Sequence, residues 1–235
     1  MIKLYNGDAI TKLKKIASDS VDLIVTDPPY PITKKGCAGN SGGMMRTDLC
    51  KQGKIFEYNN VDPADYAPEF YRILKDGTHC YVMCNHINLI NMLNTFTSVG
   101  FHFTKSLIWD KGNKIMGRFY MSQFEYILFF RKGRAKQINH CGTADILSIP
   151  NKKTKQDGKN VHDTEKPVEL MKILIENSSM ERGWVLDPFM GIGSTGVAAL
   201  ELNRNFMGIE IDERYYNYAR LRIQNTSVGA SGQSS

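Results

Sequence analysis

Residues 184–210 read WVLDPFMGIGSTGVAALELNRNFMGIE, and this stretch decides the fold. An apolar run ends at Asp187; Gly191, Gly193 and Gly196 follow closely; a small-residue segment leads into a second apolar run ending at Glu210. The order is strand, glycine loop, helix over Ser194–Leu202, and strand. It is the repeating unit of a parallel sheet whose crossover helices cover its faces. Upstream, IKLYN and VDLIVT read as strands, the second β-branched and apolar throughout, as a strand covered on both sides must be. Helices are expected from about Asp8 to Ala17, Pro63 to Lys75 (ended by Asp76-Gly77), Ile87 to Thr97, Pro167 to Met180 and Asp212 to Gln224. Strands are expected at Thr78–Cys84, Phe103–Trp109 and Phe124–Phe130, the last two pairing as an antiparallel edge. The fold class is therefore α/β: a Rossmann-like, mostly parallel sheet with an antiparallel edge strand and helices on both faces.

The chain has 235 residues, a formal charge of +6 and five cysteines. That length suits one domain, read as residues 1–226 with a flexible tail over 227–235. The positive balance fits a polyanionic partner. No apolar run has the length of a signal peptide or a membrane span, and the cysteines form no paired framework, so a cytoplasmic protein without a membrane partner is expected. His79, Cys80, Cys84 and His86 crowd one segment, but without a second ligand pair they read as a buried strand, and no metal is expected.

Open α/β sheets bind ligands beyond the carboxyl ends of their strands, so the chemistry belongs in the residues just after them. Gly191, Gly193 and Gly196 match the G-x-G-x-x-G spacing of dinucleotide enzymes, which keeps a nicotinamide- or flavin-dependent enzyme in contention. Two features oppose it. Only one strand and one helix remain after the loop, and Asp187 stands where a pyrophosphate would be repelled. A carboxylate there suits a cationic ligand such as S-adenosylmethionine, with Glu210 placed to grip ribose hydroxyls.

Asp27-Pro28-Pro29-Tyr30 ends the strand VDLIVT. Two prolines stop the ladder and leave a corner rich in acceptors. Such a corner suits an aromatic amine, whose lone pair is delocalised into its ring: acceptors for both amino hydrogens return electron density to nitrogen and orient it. Asp27 and the Pro28 carbonyl supply the acceptors, Pro29 rigidity, and Tyr30 a face on which a base can stack.

With DPPY first and DPFMGIGST last, the chain resembles the amino-methyltransferases acting on adenine N6 and cytosine N4 in DNA, in their permuted (beta) motif order. The resemblance spans nearly the whole chain. Asn6-Gly7-Asp8-Ala9, Leu74-Lys75-Asp76-Gly77, Tyr81-Val82-Met83, Ile108-Trp109-Asp110-Lys111 and Phe124-Glu125-Tyr126-Ile127-Leu128 fall where that family has corresponding pieces. His162-Asp163-Thr164-Glu165-Lys166-Pro167 resembles its cofactor-lining H-P-T-Q-K-P segment and departs from it at Asp163 and Glu165. The resemblance implies a methyltransferase fold and S-adenosylmethionine as cofactor. It places Asp8, Ala9, Asp27, Thr164, Glu165, Lys166, Asp187, Pro188, Phe189, Gly191, Gly193, Ser194, Thr195, Glu210 and Asp212 around the donor. It also implies Asp27, Pro28, Pro29 and Tyr30 as the catalytic corner, with adenine N6 as target and cytosine N4 as the alternative. Cytosine carbon-5 chemistry needs a nucleophilic cysteine, usually after proline, and no cysteine here follows a proline. RNA methylation, or DNA binding without catalysis, are further alternatives.

A base inside a duplex cannot reach Asp27, so DNA is the expected partner with its target flipped out. Two lysine-rich segments, about 31–58 and 131–160, are expected to read the target and hold phosphates, through Lys34, Lys35, Arg46 and Lys51 in the first and Arg134, Lys152, Lys153 and Lys155 in the second. Both are short, so a brief recognition sequence or help from a second subunit in a homodimer is expected.

Overall fold

A computed structural model describes residues 1–30, 61–115, 120–134, 136–156, 158–161 and 165–231. Ten strands and six helices are described: β1 (Ile2–Asn6), α1 (Ala9–Leu13), β2 (Val21–Thr26), α2 (Pro63–Ile73), β3 (Leu74–Cys84), α3 (Leu89–Ser98), β4 (His102–Ile115), β5 (Ser122–Arg131), β6 (Ile146–Ser148), β7 (Lys155–Gln156), β8 (Lys159–Asn160), α4 (Val168–Ser178), β9 (Trp184–Asp187), α5 (Ser194–Glu201), β10 (Asn205–Glu210) and α6 (Glu213–Ser231). Eight strands form one sheet in the order β1-β10-β9-β2-β3-β5-β4-β6, and β7 and β8 form a separate small hairpin.

Alternation along the central strands builds two cores. Leu23, Val25, Tyr81, Met83 and Val185 face one side, under α4, α5 and α6. Ile24, Cys80, Val82, Cys84 and Leu186 face the other, under α1, α2 and α3. Strands apolar at every position are thereby buried on both faces. No helix among the described residues is long and apolar enough to cross a membrane.

Within this sheet only β5 runs against its neighbours, pairing antiparallel with both β3 and β4. The two strands expected to pair as an antiparallel edge do pair, but β5 lies inside the sheet. Strand β4 covers its outer side, and β6 adds the edge by pairing parallel to β4. Helix α2 ends at Ile73, earlier than expected. The Asp19 and Ser20 N–H groups donate to the Arg72 and Ile73 carbonyls, and Leu74 already pairs with Val21. Asp76-Gly77 is therefore part of β3 and does not terminate the helix. Helix α1 is short because Lys15 and Ile16 bond three residues back, a tighter turn that closes it. At the other end of the chain α6 continues to Ser231, beyond the expected stop at Gln224.

Strand order reverses between β2 and β9. The chain leaves β2 towards β3 and leaves β9 towards β10, on opposite sides of the pair. Such a switch point opens a crevice at the carboxyl ends of its two strands. Both loops singled out by their sequence, 27–30 and 188–193, begin there.

Candidate active site

The Thr26 hydroxyl donates to Asp187 Oδ1 at 2.8 Å, so the two loops, 161 residues apart in sequence, meet side by side. Asp187 Oδ2 accepts the Thr195 hydroxyl at 2.6 Å, and Oδ1 also accepts the Phe189 N–H at 3.1 Å. The carboxylate is buried and clasps three segments: the end of β2, the glycine loop and the first turn of α5. Burial pushes its pKa up to about 6, against the lowering effect of these hydrogen bonds. Both oxygens of Asp187 accept hydrogen bonds within the fold, which fixes where its charge stands at the mouth of the crevice.

This carries a pH signature. A carboxyl raised on folding contributes stability that is fully present below its unfolded value of 3.8 and lost as pH rises through about 6. Asp187→Asn removes that titration, so the variant should lose less stability than wild type between about pH 4 and pH 7, by about 2–3 kcal/mol. Urea unfolding at several pH values measures it, and equal slopes for the two proteins would contradict the burial seen here. Glu210, raised to about 6 by burial, keeps its own share of the slope in both.

Two more strand ends on this side of the crevice carry carboxylates. Asp8, after β1, caps α1 by accepting the Thr11 N–H at 2.8 Å, with Ala9 buried behind it. Glu210, ending β10, accepts the N–H groups of Gly191 at 2.9 Å and Asp212 at 2.8 Å. Asp212 accepts the Arg214 N–H at 2.9 Å and pairs with its guanidinium, which holds its carboxyl below the ordinary range against the opposing pull of desolvation. Gly191 and Gly193 sit at φ +52° and +83°, where side chains are disfavoured. The donor set along this rim is acidic, which fits a ligand with a cationic centre and hydroxyls to donate, and opposes a pyrophosphate. Ser194 and Thr195 are buried in the first turn of α5, and Phe189 packs edge-on against Tyr66 with ring centroids 5.4 Å apart.

Beside Asp187, Asp27 follows β2. Its Oδ2 accepts the Lys166 ammonium, and its Oδ1 faces the Tyr30 hydroxyl at 3.4 Å, with 22% of the side chain exposed. Burial raises the Asp27 carboxyl; Lys166 opposes the rise and Glu125 adds to it. Lys166 is held above the ordinary lysine value by Asp27 and Glu125, although burial pulls it down. Pro28 is buried and Pro29 half-buried between them. Cys84 ends β3 in the same pocket, its thiol pushed to about 12 by burial and by Asp27 and Glu125. A thiol so protonated at neutral pH is no nucleophile.

Lys166 and Glu165, both expected around the donor, are each engaged within the fold. Lys166 turns to the acceptor corner. Glu165 is buried, accepts the Thr154 N–H at 2.6 Å and hydroxyl at 2.9 Å, and pairs with Arg222 of α6 at 2.8 Å. Its role is to tie the Lys152–Lys155 segment and α6 to the start of α4. That tie brings the segment to the rim beside Lys166. Arg134 lies elsewhere: its carbonyl is next to Gly77, at the amino end of β3. Cys84 is seven residues further along, or roughly 23 Å of strand. Lys34, Lys35, Arg46, Lys51 and Thr164 lie outside the described residues.

Two site residues carried no functional expectation. Glu125 on β5 reaches Lys111 of β4 at 2.8 Å and Lys166 at 3.6 Å, and both ammonium groups lie over the Trp109 ring at 5.6 and 6.0 Å. The available signal was a lone charge inside the apolar run FEYILFF, which demands a buried partner. His79, by contrast, hydrogen-bonds Ser178 and the Lys136 carbonyl, and among the described residues no cluster of His, Cys, Asp or Glu could hold a metal ion.

A family model described as DNA methylase matches residues 21–221. The type II methyltransferase M2.DpnII of Streptococcus pneumoniae is 28% identical, over 94% of this chain and 89% of its own. The type II methyltransferase M.HinfI of Haemophilus influenzae is 28% identical, over 94% of this chain and 68% of its own. Among solved structures, the M1.HpyAVI–SAM complex superposes with a TM-score of 0.67 at 24% identity, over 94% of this chain and 100% of that one. The cytosine-N4-specific PvuII DNA methyltransferase gives 0.71 at 16% identity, over 97% and 91%. At these identities the structural likenesses carry the fold.

Proposed function

This chain belongs to the DNA methylase family of N6- and N4-amino methyltransferases, and from that premise we propose that it methylates adenine N6 of a base flipped out of DNA. The observation that carries the reading is the Thr26–Asp187 hydrogen bond, which ties the acceptor corner to the acidic glycine rim. S-adenosylmethionine is the donor that fits this rim, and it supplies an electrophilic methyl group. Asp8, Glu210 and the loop 187–193 would hold it, the carboxylates facing its hydroxyls and positive charge. The structurally similar M1.HpyAVI has been solved as a complex with SAM.

Asp27 accepts one amino hydrogen of the target and the Pro28 carbonyl the other, which turns the nitrogen lone pair towards the glycine rim. Tyr30 stacks on the base. The nitrogen turns cationic on methylation and sheds a proton, and Asp27, raised by burial, is placed to receive it. No side chain becomes covalently attached. Asp27 supports adenine, since serine is commoner at this position in cytosine-N4 enzymes. Target reading belongs to residues 31–58 and the Lys152–Lys155 segment, and a second copy of the chain would supply what such short segments lack.

Purified protein, labelled donor and separate DNA and RNA substrates test this, with modified nucleosides identified by mass spectrometry. N6-methyladenine from DNA is the expected product. N4-methylcytosine would move the target to cytosine, and label confined to RNA would reject the DNA assignment. Activity should fall steeply with salt, as phosphate contacts by lysines require.

A further inference from the structure

Asp27, Lys166, Glu125 and Lys111 form a line of alternating charge drawn from β2, the start of α4, β5 and β4. One atom in it is unsatisfied. Glu125 Oε1 accepts Lys111 at 2.8 Å, whereas the buried Oε2 has no hydrogen-bond partner. A buried carboxylate oxygen without a donor is unfavourable. A donor stands close by: Lys166 Nζ is 3.6 Å from that oxygen, outside hydrogen-bond range, with its ammonium on Asp27.

The proposed chemistry needs the opposite arrangement. Asp27 must accept the target amine and then its proton, and a carboxylate engaged by an ammonium does both poorly. Lys166 has to yield, yet it is 9% exposed and cannot turn to water. We propose that Glu125 is a positioning residue whose Oε2 receives the Lys166 ammonium when the target amine docks on Asp27. The inference rests on the function proposed above. Against burial, Lys166 and Lys111 together hold the Glu125 carboxyl below its ordinary value, and the Trp109 ring, already beneath both ammonium groups, lines the short swing. In the step served, a nitrogen–carbon bond forms as the carbon–sulfur bond breaks, its electron pair staying on sulfur. The nitrogen passes one proton to Asp27, which releases it to water as product leaves.

The test is the pH dependence of kcat/KM for DNA methylation. Its acid limb reports the carboxyl that must be ionised. The groups facing Asp27 are Lys166, Glu125, Tyr30, Cys84, Tyr66 and the neighbouring Asp187. In Glu125→Gln, Lys166 stays on Asp27 and a repelling charge is lost. The rate should fall by about 30-fold and the acid limb should move to lower pH. In Lys111→Met the charge on Glu125 is uncompensated, draws Lys166 from Asp27 and moves the limb to higher pH. Glu125→Asp, which keeps the charge, should return the limb towards wild type. Opposite shifts with unchanged donor affinity support the inference. Wild-type profiles in the variants overturn it, and so does lost activity with an unmoved limb, which would mark Glu125 as packing alone. Wild-type protein that modifies no DNA would instead reject the proposed function.

Discussion

Asp27→Ala is expected to lower kcat/KM for methyl transfer by about 10³-fold or more, while donor affinity changes by less than about threefold. The size of the effect follows from two tasks resting on one group. Asp27 is an acceptor that orients the amine, and it is the base that takes the proton. The sparing of donor binding follows from position. Asp27 bonds Lys166 and faces Tyr30, whereas the glycine rim is held together by Asp187 and Glu210. Asp27→Asn keeps an acceptor oxygen but not the charge, and should recover only a small part of the loss. Single-turnover transfer of labelled methyl and equilibrium dialysis of the donor separate the two quantities. A variant within tenfold of wild type would remove Asp27 from the chemistry. The substitution also strips Lys166 of one of its two carboxylates, so a modest loss of thermal stability is expected alongside.

The parts of this site that could be read from sequence were those carried by local pattern. Uninterrupted apolar runs such as VDLIVT can only be strands covered on both faces, and a run that stops at Asp-Pro-Pro or Asp-Pro-Phe has nowhere to go but the sheet's carboxyl edge. That was enough to put Asp27 and Asp187 at one end of the molecule. What sequence could not show was which oxygens would be left for a ligand. Asp187, Glu210 and Glu165 each read as candidate ligand contacts, and each also accepts hydrogen bonds from hydroxyls or backbone N–H groups within the fold. Those partners lie between 2 and 161 residues away, and no local pattern encodes the distant ones. Lys166 is the same case: the motif around it suggested the donor pocket, while folding carried its ammonium across 139 residues of chain to Asp27. Arg134 shows the reverse limit, since a basic segment can be continuous in sequence and still span both ends of a sheet.

Gly196→Val should destabilise the protein by about 3 kcal/mol through overpacking, which for a chain of this size lowers Tm by roughly 6–12 °C. Helix propensity alone argues the other way, because glycine inside a helix is worse than alanine by about 1 kcal/mol. Geometry decides the sign. A Cβ on Gly196 would stand 2.5 Å from the Ile223 side chain and 2.7 and 2.9 Å from the Phe206 ring. The tip of Ile223 can turn aside. Phe206 cannot, being fully buried and within 2.7 Å of where a Cβ on Gly208 would lie. The last glycine of the loop is therefore a packing residue, letting α5 seat against β10 and α6. Donor affinity measured well below the lowered Tm should consequently fall far less than stability does. A variant that melts with wild type would mean that α5 and α6 stand further apart than this close packing requires. Lost donor binding at unchanged Tm would return Gly196 to the ligand face that a dinucleotide fingerprint assigns it.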